Sequence, residues 1–262
     1  MTAFAGGDAA RAFVLQWADD AFVSGHWLSS AAGTYGPDLE ENLALGSIAQ
    51  EHLGHARALY LTLAGDDRGV DRLVFLRDAA EFRSSSLADA WVANDWAFLT
   101  VKELLCALLE VARCGAVAEA ASGTWRDLSA TIARDVEVHV EHWQQWVVRL
   151  GAAAEGRERV GAALRVLWPL LGDAVDAATW RDGGKELFGA DVAADRVLAQ
   201  AAKRGRAIFG AAAFLAGGSD LPDLRPPAVA SGGRAGRHDA AFVRALHELQ
   251  SVYRSAPEVQ LT

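Results

Sequence analysis

Two pairs of residues have types and a spacing that suggest chemistry: Glu51 with His55, and Asp135 with His139, each a carboxylate four residues ahead of a histidine. Four residues turn an α-helix through about 400°, so each pair returns to within about 40° of one line along its helix. Two such helices facing each other bring both pairs towards a common point. Helical bundles use this arrangement to hold two carboxylate-bridged iron or manganese ions, and also to bury networks of hydrogen bonds. His52, three residues ahead of His55, joins the first pair.

A two-metal reading meets an obstacle in the same residues. Bundles of that kind carry Glu-x-x-His, whereas His52 stands three before His55 and Val136 stands three before His139. A complete site also needs a carboxylate from each of two further helices. Asp19 or Asp20 can serve from the first, but the third offers Phe98, Lys102 and Leu105, with Glu103 on another face of the helix. The candidate metal set is therefore a vestigial one, Asp20, Glu51, His52, His55, Asp135 and His139, and no catalytic residue is assigned. In the alternative, Glu51 and Asp135 pair with the imidazoles across the core, because burying these groups unpaired costs a few kcal/mol.

The elements that must position these residues are helices. Pro37 to Gly65 is the best marked: Asp38 with Glu41 reads as a capping box, Gly65 as the stop, and Leu45, Ile48, His52, His55 and Leu59 as one stripe. Ala9 to Ser30 predicts a first helix with Phe13, Trp17, Asp20, Ser24 and Trp27 on one face, packed antiparallel to the second. After a crossover with a short helical turn at Asp71 to Leu76, Ser86 and Asp89 are expected to cap a long third helix from Leu87 to Ala121. Thr124 to Leu150 is the fourth, burying Leu128, Ile132, Asp135, His139, Trp143 and Trp146. Helical patterns follow at Gly156 to Trp180, where Pro169 must kink or divide the helix, at Val192 to about Leu215, and at His238 to Ser255. With almost no strand signal, the expected fold is all-α: a four-helix bundle over about 9–150 with further helices and an arm over 156–262, in a single domain.

The arm, Gly217 to His238, is rich in glycine and proline and ends in SGGRAGRH. Having few apolar residues of its own, it is expected to order on a partner surface, with Arg234 and Arg237 as the contacts. The 262 residues are 52% hydrophobic and 23% charged, which is globular composition, and a net charge of −9 excludes a nucleic-acid backbone as partner. No apolar run is long enough to span a bilayer and no basic leader opens the sequence, so the expected location is cytoplasmic. Cys106 and Cys114 lie about 12 Å apart along one predicted helix, too far for a disulfide.

Several stretches carry a resemblance: LALGSIAQEHLGHAR at 43–57, FLRDAAEF at 75–82, RDVEVHVEHWQQWVVRLG at 134–151, and SGGRAGRH followed by LHELQSVYRSAPE up to Glu258. In this order they resemble the PaaC-type subunits of ring 1,2-phenylacetyl-CoA epoxidases, the multicomponent monooxygenases of phenylacetate degradation. The resemblance implies a ferritin-like fold and a non-catalytic subunit. It also implies a PaaA-type partner that holds the di-iron centre and binds phenylacetyl-CoA, so that no cofactor is expected in this chain, and a reductase subunit that supplies electrons from NADPH. The sequence departs from the family pattern in having histidine at both 52 and 55, which leaves room for a retained metal. The competing readings are a self-contained di-metal oxidase or oxygenase and a ferritin-like metal-binding stress protein.

Overall fold

The computed structural model describes residues 4, 6–212 and 221–256. Within them the regular structure is all helical, with no strand. Four long helices make the bundle: α1 (Asp8–Ala31), α2 (Leu39–Ala64), α5 (Trp96–Ala120) and α6 (Thr124–Gly151). Between the two halves lie α3 (Asp67–Asp71), a π-helical turn (Arg72–Leu76), a 3-10 turn (Ala79–Glu81) and the single turn α4 (Ser86–Asp89). Beyond the bundle come α7 (Ala154–Asp173), α8 (Ala177–Phe188), α9 (Ala194–Ala211) and α10 (Ala240–Ser255). This is the expected ferritin-like four-helix bundle with additional C-terminal helices.

The bundle is two antiparallel hairpins laid face to face. In the first, Gly25 of α1 sits against Ala49 and Leu53 of α2, while Asp19 meets Tyr60, so position falls on one helix as it rises on the other. In the second, Trp96 at the start of α5 packs on Trp143 and Trp146 near the end of α6. Side chains then cross between hairpins: Trp17 Nε1 of α1 donates to Glu110 of α5 at 2.5 Å. The second and sixth helices approach one another at few backbone positions, and their contact is made by long polar side chains.

The ends of α2 follow from its sequence. Asp38 accepts from Glu41 N–H at 2.8 Å, and Gly65 stops the helix in the left-handed conformation at φ 81°. Only half of the expected capping box forms, since the Glu41 carboxylate reaches across to His142 at 3.2 Å instead of back to its own backbone.

Three expectations about the elements need correction. The third helix begins at Trp96, not Leu87, because the chain turns out of helix through Asn94, whose φ is 57°, and restarts under an Asp95 cap that accepts from Phe98 N–H. Ser85, not Ser86, caps the short α4, while Asp89 accepts from Ser84 and pairs with His238. Pro169 does not divide its helix: it lies in the last turns of α7, and the break falls at 174–176, where Asp176 caps a separate α8 by accepting from Thr179.

The arm is likewise not free. Residues 213–220 lie outside the described part, but from Leu221 onward the segment is held by this chain itself. Trp168 Nε1 and Arg206 donate to the Pro222 carbonyl at 3.0 and 2.9 Å, and Gly233 lies so close to the Ser84 carbonyl that any side chain would collide with it. The carbonyls and aspartates along its path supply the partners that a docking surface was expected to provide.

Candidate functional site

The two carboxylate and histidine pairs cross over. His55 Nε2 lies 3.0 Å from Asp135, and His139 Nε2 lies 2.5 Å from Glu51, so each imidazole of one helix takes the carboxylate of the other. Together with Glu41 and His142 they form a polar seam between α2 and α6. The histidines are the buried members, His55 at 8% and His139 at 2% exposed. Glu51, with 49% of its side chain in water, and Asp135, with 33%, sit at the rim and not in the core where the sequence pattern placed them. The reason is reach: an imidazole from one stripe meets a carboxylate that leans inward from the edge of the other helix.

His52 lies deeper, its ring centroid 5.1 Å from that of His139 and 6.4 Å from that of His55. Burial drives its pKa well below the ordinary histidine value, and the neighbouring His139, His55 and Lys102 lower it further. Burial also lowers His139, against the opposing pull of its Glu51 partner, and lowers His142 against Glu41. Burial therefore favours the neutral form of all three rings.

Asp20, the expected first-helix ligand, is committed elsewhere. One oxygen accepts from Arg234 at 2.6 Å and Arg113 at 3.1 Å, and the other accepts from Ser85 N–H at 2.8 Å. Arg113 is also tied to Glu110, which places a buried ion cluster between α1 and α5. Asp19 is equally occupied by Arg77, Tyr60 and Arg83 N–H. A cavity with about 30 Å³ open to water lies beside this cluster, bordered by Ser24, His52, His55 and Cys106, and has room for about one water molecule.

Arg234 is an internal residue and not a partner contact. It is 3% exposed and donates to the Ala174, Gln16 and Arg83 carbonyls as well as to Asp20. A guanidinium has five N–H donors, and here they close four separate segments around one point. Arg237, three residues on, is exposed.

Two buried charges escaped the sequence reading as members of the site. Lys102 and Glu103 are 0% and 1% exposed, their charged ends 3.0 Å apart. The helical period suggested another face for Glu103, but its charge acts on His139 of α6 and on Cys106, while α6, α7 and α9 all pack on α5 and leave the helix buried nearly all round. The signal available in the sequence was the unbroken apolar run on both sides of Lys102-Glu103, which leaves α5 without a polar face.

The donor set does not fit two metal ions. The Asp20 lone pairs are taken by two arginines and a backbone N–H, the Nε2 atoms of His55 and His139 face carboxylates of the opposite helix, and the third helix contributes an ammonium. Among the described residues no group of three or more histidines, cysteines and acids has the geometry to hold a metal.

Comparison with known proteins places these features in a lineage. The family described as phenylacetic acid catabolic protein matches residues 5–260. The C component of the 1,2-phenylacetyl-CoA epoxidase of Escherichia coli (strain K12) is 26% identical over 172 residues, which cover 63% of this chain and 67% of that protein.

Proposed function

Because this chain belongs to the phenylacetic acid catabolic protein family, we propose that it is the non-catalytic, structural subunit of a di-iron monooxygenase that epoxidises the aromatic ring of phenylacetyl-CoA. Its task is to stabilise a PaaA-type catalytic subunit that carries the iron and binds the thioester, with a reductase and the remaining subunits completing a cytoplasmic complex. One observation carries this reading: the position from which α1 would offer a metal ligand, Asp20, is neutralised by Arg113 and Arg234. A bundle that spends its ligand positions on internal ion pairs keeps the scaffold of a di-iron protein without its chemistry. No helix among the described residues is long and apolar enough to cross a membrane.

The test is iron content in two preparations. Expressed alone in iron-replete cells, the chain is expected to carry far less than one iron per molecule. Co-expressed with its catalytic partner, it is expected to co-purify in a complex whose iron and turnover disappear when the partner's ligands are substituted. Close to two irons per chain in the lone protein, with an oxo-bridged absorption band, would establish a self-contained di-metal oxidase instead.

A further inference from the structure

The chain uses lysine three times and arginine 22 times, and one of the three lysines, Lys102, is completely buried at the centre of the bundle. Among the described residues its ammonium has a single neighbour of opposite charge, Glu103 at 3.0 Å. Beyond that ion contact, neither Lys102 Nζ, nor either Glu103 oxygen, nor His139 Nδ1 has a hydrogen-bond partner among the described residues. The Glu103 charge acts on His139, and the His139 ring lies beside that of His52, so the donor types that favour divalent cations gather round the Lys102 ammonium even though they are not arranged as a ligand set.

We propose that the Lys102 ammonium is the built-in counter-ion of this core, supplying the positive charge that a metal ion would bring and thereby closing the His52, His139 and Glu103 cluster to metal. The inference rests on the non-catalytic reading above and names what enforces it. Replacing a buried ion pair by apolar residues of the same volume is often neutral or stabilising, so packing alone gives no reason to keep this one. Its electrostatic effect is specific. A fixed cation held at the mouth of a carboxylate repels an arriving dication through a medium that screens poorly, and it cannot be displaced as water can. The same field acts on His52, which it helps to hold neutral. Lysine suits the task better than arginine because a compact charge on a flexible stem fits a space the size of one ion.

The test titrates Co2+ into the wild-type protein and into Lys102→Met, which keeps the volume and removes the charge. The wild type is expected to show no ligand-field band and no rise in Tm up to millimolar Co2+. Lys102→Met is expected to bind at least about 100-fold more tightly, the scale of a unit charge removed at a few ångströms from a partly desolvated site, and to lose that gain when Glu103→Leu is added. A folded Lys102→Met with the helicity of the wild type and no gain in Co2+ affinity overturns the proposal while leaving the non-catalytic reading intact. Iron or cobalt bound by the wild type at these histidines overturns both. Should Lys102→Met not fold, the wild type labelled with 15N-lysine decides. Lys185 and Lys203 are exposed and exchange fast, so one protected ammonium signal at neutral pH is expected from Lys102, and its absence overturns the proposal.

Discussion

The two crossed pairs of the polar seam each join a buried imidazole to a carboxylate that keeps a third to a half of its side chain in water, an asymmetry that sets the cost of breaking them. In His55→Leu the stranded partner is Asp135, whose side chain already keeps 33% of its surface in water and can be rehydrated. The expected loss is about 1–2 kcal/mol, against about 3–5 kcal/mol for stranding a fully buried charge. The structure also identifies the correct double mutant: His55 couples to Asp135 on α6 and not to Glu51, its neighbour on α2. A cycle of His55→Leu and Asp135→Leu in urea denaturation is expected to give a coupling of about 0.5–1.5 kcal/mol. A cycle of His55→Leu with Glu51→Leu should approach additivity. Equal couplings in the two cycles would contradict the crossed pairing.

At the scale of elements, one arginine joins parts of the chain that no helix connects. Arg234, from the 3-10 turn Gly232–Ala235, reaches Asp20 on α1, the Arg83 carbonyl before α4 and the Ala174 carbonyl after α7. Beside it, His238 pairs with Asp89 at 2.7 Å and its ring stacks on Phe242 of α10. Arg234→Ala leaves three buried carbonyls without this donor and takes one of two cations from Asp20. The expected cost is about 3–5 kcal/mol, with new proteolytic cleavage between residues 221 and 238. Arg237→Ala, on the exposed neighbour, should stay within about 0.5 kcal/mol and leave the cleavage pattern unchanged. Mass mapping of a timed digestion checks both outcomes, and equal resistance in Arg234→Ala and wild type would remove the clamp from the account.

For the molecule as a whole, acidity acts through two opposing effects. The net charge of −9 diminishes as pH falls, which relieves a repulsion already weakened by salt. Against this, burial holds the pKa of His26, His52, His139 and His142 below the ordinary value. A base with a lowered folded pKa binds its proton more readily when unfolded, so stability is complete above the unfolded value near 6.5 and is lost as pH falls below it. Each histidine can contribute a slope of at most about 1.4 kcal/mol per pH unit. Four of them outweigh screened surface repulsion, and stability in urea is expected to be lower at pH 5.5 than at pH 7.5. Unchanged or greater stability at pH 5.5 would mean that the rings are charged in the folded protein.

Periodicity and end signals were enough to read the four bundle helices and the two histidine stripes, because a 3.6-residue repeat and a cap such as Asp38 or Gly65 are local properties of the chain. The crossed pairs were legible too, as a choice between metal and hydrogen bonds, since the spacing puts both groups on one face. Other features were decided only by tertiary contact. Asn94 ended one helical pattern where the apolar period ran on, and α6, α7 and α9 together buried α5 nearly all round, Glu103 with it. Arg234 looked like a surface charge because its partners, Asp20, Arg83 and Ala174, are far away in sequence and meet it only once the arm is laid across the bundle. The difference is physical: helix formation depends on neighbours within a turn or two, whereas the fate of a charge depends on which distant groups surround it when water has been removed.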